Sequence, residues 1–363
     1  MIKIFDSPFI KNAMNKILLA FIFYVVTAAS FNGFFTKWAF RDFFRIPNVN
    51  YTFEMMYDGT AERPFVYRQL MISIAKEIRA FIPEEKQEKI ISNIEKNNFI
   101  MNSYKKALIS QKFIIEYYII YFMTFFSLLV SMFVLRKICI EITGNELSGT
   151  LTPIIFVLIF PILETFGGYF YDFGELLFLS LATLFAIKGY WLALILISPI
   201  AEYNKESFLF FVVTLLPLLT INFSKKKSFF IVATAIFLSG LVYLYVSTMY
   251  IENIGGRVQL HLYKHLEFIF SDWADTEITY GVFFGMGTFF LHILFIMWIV
   301  KNAWGKLSLQ WKYHIGIATL INVPLYILFC WPGELRNLSL MYMGFIVMLS
   351  IFIKEAIIFG EKK

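Results

Sequence analysis

The stretch from Pro161 to Glu206 begins PILETFGGYFYDFGE over residues 161–175, continues through an apolar run and reaches AEYNKE over residues 201–206. Acidic side chains recur in it among residues that favour a lipid environment: Glu164, Asp172, Glu175, Glu202 and Glu206. A charged side chain at membrane depth costs roughly 2.5–3.5 kcal/mol on insertion scales, so such residues are kept where they have a role. Each acid alone also fits an ordinary loop at the end of a span, but their clustering indicates a site.

The composition excludes a soluble domain. The chain has 363 residues, of which 59% are apolar and 16% are charged, and its mean hydropathy is +0.68. Apolar runs of about 15–22 residues recur and predict transmembrane helices, whereas the alternating pattern of a transmembrane β-barrel is missing. The net charge of +6 is typical of the basic cytoplasmic loops of a membrane protein, and no nucleic-acid partner is predicted.

The predicted fold is therefore all-α: a polytopic integral membrane protein in which residues 1–363 form a single transmembrane domain with about ten spans. The predicted spans are residues 17–35, 113–135, 151–163, 173–187, 190–201, 207–222, 229–248, 281–300, 313–330 and 338–353. Several are short and contain proline, which is tolerated where neighbouring helices satisfy the backbone. No small-residue cleavage motif follows the first apolar segment, which indicates a retained first helix.

A long first loop, residues 36–112, is predicted to lie outside the cell and to be partly amphipathic helix. Pro64 favours a helix that begins at Phe65. The apolar face of this helix is predicted to contact the membrane through Phe65, Leu70, Ile74 and Ile78. Arg68 and Lys76 lie between these residues, where long side chains can reach back to the interface. The loop is thus expected to be ordered against the membrane.

The distribution of basic residues predicts the orientation. With both termini in the cytoplasm, the cytoplasmic side receives Arg136, Lys188, Lys225–Lys227 and the basic tail, as the positive-inside rule requires. The chain is therefore expected in the inner membrane of the cell. The same assignment places the polar segments on the outer face: Tyr57–Arg68, Glu164–Glu175, Glu202–Glu206, His261–Asp275 and Trp331–Asn337. Their one-sided concentration predicts a site that faces outside.

Two carboxylates are candidate catalytic bases. Asp58 lies in YDGT, where Gly59 permits a turn that would expose the side chain, and Asp172 lies just before a span. A carboxylate beside a cavity of low dielectric constant can have a raised pKa and act as a general base. The alternatives are structural, because Asp-Gly is a common turn and an Asp before a helix is a common N-cap.

Three arginines are candidates for binding a phosphate-bearing substrate. Arg63 and Arg68 flank PFVY, and Arg336 lies in GELRN. A guanidinium binds phosphate through two parallel donors. The alternative is that Glu62 and Glu334 simply pair with these arginines. Four further residues are predicted to take part in substrate binding: Glu164, Asn204, Lys205 and Glu206.

No motif predicts a metal or a cofactor. His261 and His265 would share a helix face, but this spacing without a third ligand is weak evidence for a metal. No metal site is predicted, and a role for a divalent metal is left open. The chain has no Walker A loop, no Rossmann glycine pattern and no HExxH motif. Cys139 and Cys330 form no disulfide framework.

The layout resembles the GT-C class of integral membrane glycosyltransferases, which use polyprenyl-phosphate sugars. Those enzymes have a first span followed by a long outer loop with amphipathic helices and an acidic residue. This chain has Asp58 in such a loop, together with the segments RPFVYRQL and GELRN. The resemblance covers most of the chain as a layout but few residues as a motif. The acid of the family lies close after the first span, and Asp42 lies nearer to it than Asp58, so both are candidates.

The resemblance implies a donor sugar carried on a lipid phosphate in the outer leaflet and an acceptor that is a glycan or a lipid. An Asp would deprotonate the acceptor hydroxyl, which attacks the anomeric carbon, while Arg or Lys stabilises the departing phosphate. A transporter or lipid flippase would use the same charges and short helices. Two further interpretations are an acyltransferase with His292 or His314 as base and a structural subunit of an envelope complex.

Overall fold

The computed structural model describes residues 8–38, 52–105, 109–164, 168–256, 259–269 and 288–361. Asp42 and Asp275 therefore lie outside the described residues. All regular secondary structure in these ranges is helical, apart from a single parallel bridge between Arg63 and Gly255. The predicted all-α fold is confirmed.

The helices are given in chain order. The α-helices are α1 (Pro8–Trp38), α2 (Phe53–Asp58), α3 (Leu70–Ala80), α4 (Glu84–Lys96), α5 (Asn98–Lys105), α6 (Ile114–Thr143), α7 (Glu146–Leu163), α8 (Phe170–Lys188), α9 (Trp191–Asn204), α10 (Phe208–Thr214), α11 (Leu216–Leu219), α12 (Lys225–Met249), α13 (Leu262–Ile269), α14 (Thr288–Trp304), α15 (Leu309–Phe329) and α16 (Tyr342–Glu361). Short 3-10 helices cover Phe65–Tyr67, Gln111–Phe113 and Leu335–Met341.

Within the described residues, seven helices are long and apolar enough to cross a membrane, which indicates an integral membrane protein. They cover Asn12–Phe35, Gln111–Thr143, Glu146–Leu163, Phe170–Lys188, Lys225–Met249, Leu309–Phe329 and Leu335–Gly360. Two more apolar helices, α9 and α14, are shorter. The predicted span at 207–222 is divided into α10 and α11 at Leu215. A polytopic helical protein is thus supported, and the count of ten spans stays a prediction.

Tight turns join several of the long helices. α6 is followed by Gly144 and α8 by Gly189, whose φ angles of 65° and 74° are rarely adopted by residues with a side chain. Asn145 then caps α7, because its side chain accepts the N–H of Ser148 at 2.7 Å. The short connection makes α6 and α7 antiparallel neighbours, and α6 also packs against α8.

The helix ends form two opposite faces of the bundle. On the first, the short-loop face, Lys188 pairs with Glu141 and the ammonium of Lys354 donates to the carbonyl of Thr143 at 2.7 Å. The second, the long-loop face, carries residues 52–105 and the connections that follow α7, α9, α12 and α15. The polar segments expected on one side of the membrane lie on this long-loop face, as far as they are described.

Residues 52–105 fold onto the bundle instead of extending away from it. α3 packs against α6 and α9, and it buries Met71, Ile72 and Ala75. Ile74 and Ile78, which belong to the face predicted to contact the membrane, are exposed on the surface of the bundle, so their contact with the membrane stays a prediction. The period of the apolar residues allows either face to be buried, and the helices beneath α3 select the one with Ala75, where close approach is possible.

The loop after α12 also contacts the start of residues 52–105. The side-chain amide of Asn253 donates to the carbonyls of Gly59 and Ala61, at 2.9 and 2.8 Å. Arg63 forms its bridge with Gly255 and donates to the carbonyl of Gly255 at 2.9 Å. The loop after α12 therefore holds the start of the segment in place, and the chain reaches the bundle again at α3.

The core beneath the long-loop face is aromatic. Phe173 of α8 lies between Phe34 of α1, at a ring-centroid distance of 4.7 Å, and Phe160 of α7, at 5.2 Å. Phe160 also contacts Tyr342 of α16. All four side chains are buried, so these edge-to-face contacts fix four helices relative to one another directly below the polar residues of the long-loop face.

Candidate functional site

Several helix ends meet on the long-loop face. α7 and α9 end there, and α8 and α10 begin there. The backbone N–H of Tyr169 donates to Asp172 at 2.8 Å, which satisfies a donor at the start of α8. Charged side chains of these ends meet others from the long first loop and from the 3-10 helix before α16. Together they form a cluster that we call the charged network: Arg68, Glu164, Asp172, Glu175, Lys205, Glu206 and Arg336.

Lys205 occupies the centre of the charged network. Its ammonium donates to Asp172 at 2.7 Å and to Glu175 at 2.6 Å. Burial alone would lower the pKa of Lys205, but the two carboxylates hold it above its usual value. Moving α9 away from α8 would leave these buried charges without partners, so the contact holds the end of α9 against α8.

Arg336, which lies in the 3-10 helix before α16, also contacts the carboxylate of Asp172. Its Nη1 donates to Asp172 at 3.2 Å and its Nη2 to Glu334 at 3.3 Å, so the pairing with Glu334 that the sequence left open also occurs. Its Nε has no hydrogen-bond partner among the described residues. The hydroxyl of Ser339 donates to Glu175 at 2.7 Å. The segment before α16 is thus tied to α8 at two points.

Arg68 enters the network from the long first loop. Its guanidinium contacts Glu206 with two donors, Nε at 3.0 Å and Nη2 at 2.6 Å. Burial disfavours the charge of Arg68, but Glu206 and Tyr171 hold its pKa above the usual value. Burial also disfavours the charge of Glu206, and Arg68 more than offsets this, so the pKa of Glu206 is lowered. Arg68 is buried, so the prediction that it reaches back to the lipid interface is wrong.

Tyr171 links the two arginines. Its hydroxyl accepts hydrogen bonds from Arg68 and, at 3.5 Å, from Arg336. Its ring stacks on that of Tyr169, with centroids 5.0 Å apart and an interplanar angle of 9°. Arg68 lies over the ring of Tyr171 at 4.6 Å, and Arg336 over that of Tyr169 at 5.2 Å. The side-chain amide of Asn204 donates to the carbonyl of Tyr171 at 2.9 Å. Two guanidinium groups are therefore held against a fixed aromatic pair.

Three buried carboxylates keep one oxygen without a hydrogen-bond partner in the described part of the chain: Oε2 of Glu116, Oε2 of Glu164 and Oε1 of Glu202. Glu116 lies outside the charged network, where its other oxygen accepts from Tyr57 and Arg79. Glu164 is 1% exposed and lies within electrostatic range of Asp172 and Lys205. The other oxygen of Glu202 accepts the N–H of Leu209 at 2.8 Å. Asp172 has both oxygens occupied by donors, so Glu164 is better placed than Asp172 to accept a proton.

The network lies at one end of the helical bundle and away from its middle. α9 has 14 residues and reaches about 21 Å, against a hydrocarbon thickness of roughly 30 Å. Lys205 follows α9 directly and contacts the first two turns of α8. The charges therefore lie at the long-loop end of the bundle, between the end of α9 and the start of α8.

Asp58 and Arg63 lie outside the charged network. The carboxylate of Asp58 is 3.9 Å from Lys112 and its side chain is 49% exposed, while Arg63 contacts Gly255. This placement corrects the expectation that all predicted residues line one site. The structure brings together the remaining predicted residues, namely Arg68, Glu164, Asp172, Asn204, Lys205, Glu206 and Arg336. Whether Asp58 takes part in chemistry stays a prediction.

Some members of the site are difficult to find from the sequence. Glu175 follows Asp172 by three positions, so a helix places both on one face, and this spacing is a usable signal. Tyr171 and Ser339 have no such signal. Ser339 reaches Glu175 from 164 positions away in the chain, and only the folded bundle brings the two together.

In the ranges that the structure describes, no group of three or more His, Cys, Asp or Glu side chains could hold a metal ion. His261 and His265 have other contacts. The ring of His261 packs against Trp331, and Nε2 of His265 lies 3.0 Å from the carbonyl oxygen of Cys330. These histidines therefore help to pack the connection after α15 on the long-loop face.

The chain was compared with protein-family models, with curated proteins and with solved structures, and none of them matches it.

Proposed function

We propose that the chain is a membrane glycosyltransferase that moves a sugar from a lipid-phosphate donor to a glycan or lipid acceptor. The observation that carries this proposal is the charged network, in which Arg68, Lys205 and Arg336 are buried at one end of a helical bundle. In the proposed orientation both termini are cytoplasmic, the chain lies in the inner membrane of the cell and the long-loop face is extracytoplasmic.

The two arginines are suited to the phosphate of the donor. Arg68 and Arg336 share the hydroxyl of Tyr171 and lie over neighbouring tyrosine rings. A guanidinium presents several donors in one plane, so it can exchange a carboxylate partner for a phosphate. The position of the network at one end of a bundle of apolar helices supports a substrate whose headgroup lies at the membrane surface and whose chain lies in lipid.

In this proposal Glu164 is the base. The acceptor hydroxyl loses its proton to the carboxylate of Glu164 as its oxygen forms a bond with the anomeric carbon. The bond between that carbon and the phosphate oxygen breaks, and its electron pair stays on the lipid phosphate, where Arg68 and Arg336 stabilise the added charge. The unpartnered Oε2 of Glu164 supports this assignment, and Asp172 then holds Lys205 and Arg336 in position.

Binding of the lipid phosphate tests this part of the proposal without a known sugar. Purified protein is titrated with polyprenyl phosphate, and its thermal unfolding is followed. A ligand present at about 100 times its Kd stabilises the folded state by about 2.7 kcal/mol. Arg336→Lys keeps the charge but loses the planar donor set, so it should reduce the stabilisation, whereas Glu141→Gln on the short-loop face should not. An unchanged response in Arg336→Lys would contradict the proposal.

A specific observation also favours a transporter or lipid flippase as the alternative. The network lies where the chain is broken between α9 and α10, and α10 is separated from α11 at Leu215. Broken helices beside buried charges are common in transporters, but there the site lies near the midplane. Reconstitution into vesicles separates the two functions, because a flippase moves lipid phosphate across the bilayer without releasing a sugar.

A further inference from the structure

A second feature of the long-loop face lies outside the charged network. An apolar groove of about 500 Å³ runs down the lipid-facing side of the bundle between α3, α6 and α8. Its lining residues are Ile78, Ile119, Phe122, Met123, Phe126, Ser127, Val130 and Leu177. Phe122, Phe126 and Val130 are exposed, so the groove is open to the surrounding lipid along its length.

The length of the groove matches one leaflet. Ile119 and Val130 are separated by eleven positions of α6, which is about 17 Å along the helix, or roughly half of a 30 Å hydrocarbon layer. Its upper end is formed by Ile78 of α3. Ile74 of the same helix and Phe81, directly after it, are also exposed. An amphipathic helix with such a face lies in the membrane interface.

Basic side chains lie above the upper end of the groove. Arg79 follows Ile78 directly and donates to Glu116 and to the carbonyl of Lys112, at 2.8 Å for the carbonyl. The ammonium of Lys112 is 3.9 Å from Asp58, and its side chain is 62% exposed. A pair that is this long and this exposed to water contributes little, so Lys112 can bind another anion.

Cations and carboxylates meet at this point, because Lys112 lies beside Asp58 and Arg79 pairs with Glu116. The exposed ammonium of Lys112 is the cation that an anion outside the protein can reach. Lys112 lies in the turn that leads into α6, which has 30 residues, and the N-terminal end of a helix carries partial positive charge. Lys76 adds a third basic side chain, with its ammonium over the ring of Tyr57 at 4.5 Å. An exposed cation above an apolar groove complements a lipid that has an anionic headgroup and an apolar chain.

We infer that this groove binds one chain of an anionic membrane phospholipid, with the lipid phosphate at Lys112 and Arg79. The site is separate from the proposed donor site, because its basic residues belong to α3 and to the start of α6 and contact Asp58 and Glu116. The bound lipid would hold α3 against the bundle, and the inference does not depend on the proposed transfer reaction.

The test measures lipid that stays bound. Protein purified in mild detergent is stripped of lipid, then mixed with equal amounts of phosphatidylglycerol and phosphatidylcholine, and the retained lipid is measured by native mass spectrometry. We expect retention of one phosphatidylglycerol per chain. Lys112→Gln should weaken this retention about fivefold, which corresponds to the ~1 kcal/mol that one lysine contributes beside an anionic lipid surface. Val130→Trp fills the open side of the groove and should reduce the retention of both lipids.

Two matched variants act as controls. Lys137→Gln removes an exposed cation from the other end of α6, and Phe237→Trp enlarges an exposed apolar side chain of α12; both should retain phosphatidylglycerol as the wild type does. Equal retention of the two lipids by the wild type would overturn the headgroup assignment. Unchanged lipid retention by Val130→Trp would contradict the inference that a lipid chain binds in the groove.

Discussion

Arg336 and Asp172 are 164 positions apart in the chain, and their side chains meet at 3.2 Å. Both are at most 5% exposed, so the pair is formed inside the bundle and not on its surface. The same carboxylate also accepts from Lys205. One acidic residue at the start of α8 therefore positions two cations that come from different parts of the chain.

Removing one partner of the partly buried pair between Arg68 and Glu206, whose side chains are 8% and 24% exposed, should destabilise the protein. Glu206→Gln leaves the buried guanidinium of Arg68 without its carboxylate, and the loss of hydrogen bonds between charged groups costs about 1.5–3 kcal/mol. The matched control is Glu146→Gln, since Glu146 pairs with Arg136 but has a side chain that is 74% exposed; this change should cost no more than about 1 kcal/mol. Thermal unfolding in detergent compares the two, and equal losses would contradict a special role for Glu206.

The same pair predicts a dependence on pH. Because the pKa of Glu206 in the folded protein lies below its ordinary value of 4.5, ionised Glu206 stabilises the fold above that pH, and this contribution is lost as the pH falls further. The difference in melting temperature between wild type and Glu206→Gln should therefore be largest near neutral pH and should shrink below pH 4.5. A difference that does not change with pH would show that the loss comes from packing alone.

The fold could be predicted from the sequence to the extent that it follows from local patterns. Apolar runs identify the long helices, and the turns at Gly144 and Gly189 follow from the known preference of glycine for positive φ angles. The face that α3 buries could not be predicted, because it depends on the helices beneath it. Met71, Ile72 and Ala75 are buried against the bundle, whereas Ile74 and Ile78 are exposed, and only the positions of α6 and α9 decide which residues of α3 pack inward.

The site could be predicted only in part for a related reason. Asp172, Lys205 and Arg336 could be predicted as site residues, because each is a charged residue in an apolar stretch of sequence and such a charge needs a partner. The choice of partner depends on the fold, so Asp58 and Arg63 carry a similar sequence signal and lie outside the network. The best candidate base, Glu164, differs from Asp172 in having an unpartnered oxygen, which no sequence pattern records.

Close packing of α8 predicts a second effect on stability. A Cβ atom at Gly174 would lie 2.6 Å from Oδ1 of Asn204 and 2.9 Å from Cε of Met71, and Asn204 is held in place by its bond to Tyr171. Gly174→Ala should therefore cost about 1–3 kcal/mol.

The control for this change is Gly316→Ala in α15, because a Cβ atom there has nothing within 4 Å among the described residues. Alanine is favoured over glycine inside a helix by about 1 kcal/mol, so this variant should be as stable as the wild type or more so. The melting temperatures of the two variants are measured in detergent. If Gly174→Ala melts at the wild-type temperature, the prediction is wrong and α8 and α9 can move apart.

The orientation of the chain has its own test. Lys226→Cys is prepared together with Cys139→Ser and Cys330→Ser, and intact cells are treated with a thiol reagent that does not cross membranes. Lys226 lies at the start of α12 on the short-loop face, so we expect labelling only after the cells are opened. Labelling in intact cells would place the charged network on the cytoplasmic side.

The most direct test of the central claim measures polyprenyl phosphate released from polyprenyl-phosphate sugars by the reconstituted protein, with envelope glycans and lipids as acceptors. The wild type should release it, and Glu164→Gln should lower the rate at least about 100-fold, as expected for loss of a general base. Asp58→Asn and Glu141→Gln should stay near the wild-type rate. No release by the wild type from any donor, or full activity in Glu164→Gln with loss in Asp58→Asn, would contradict the proposed site.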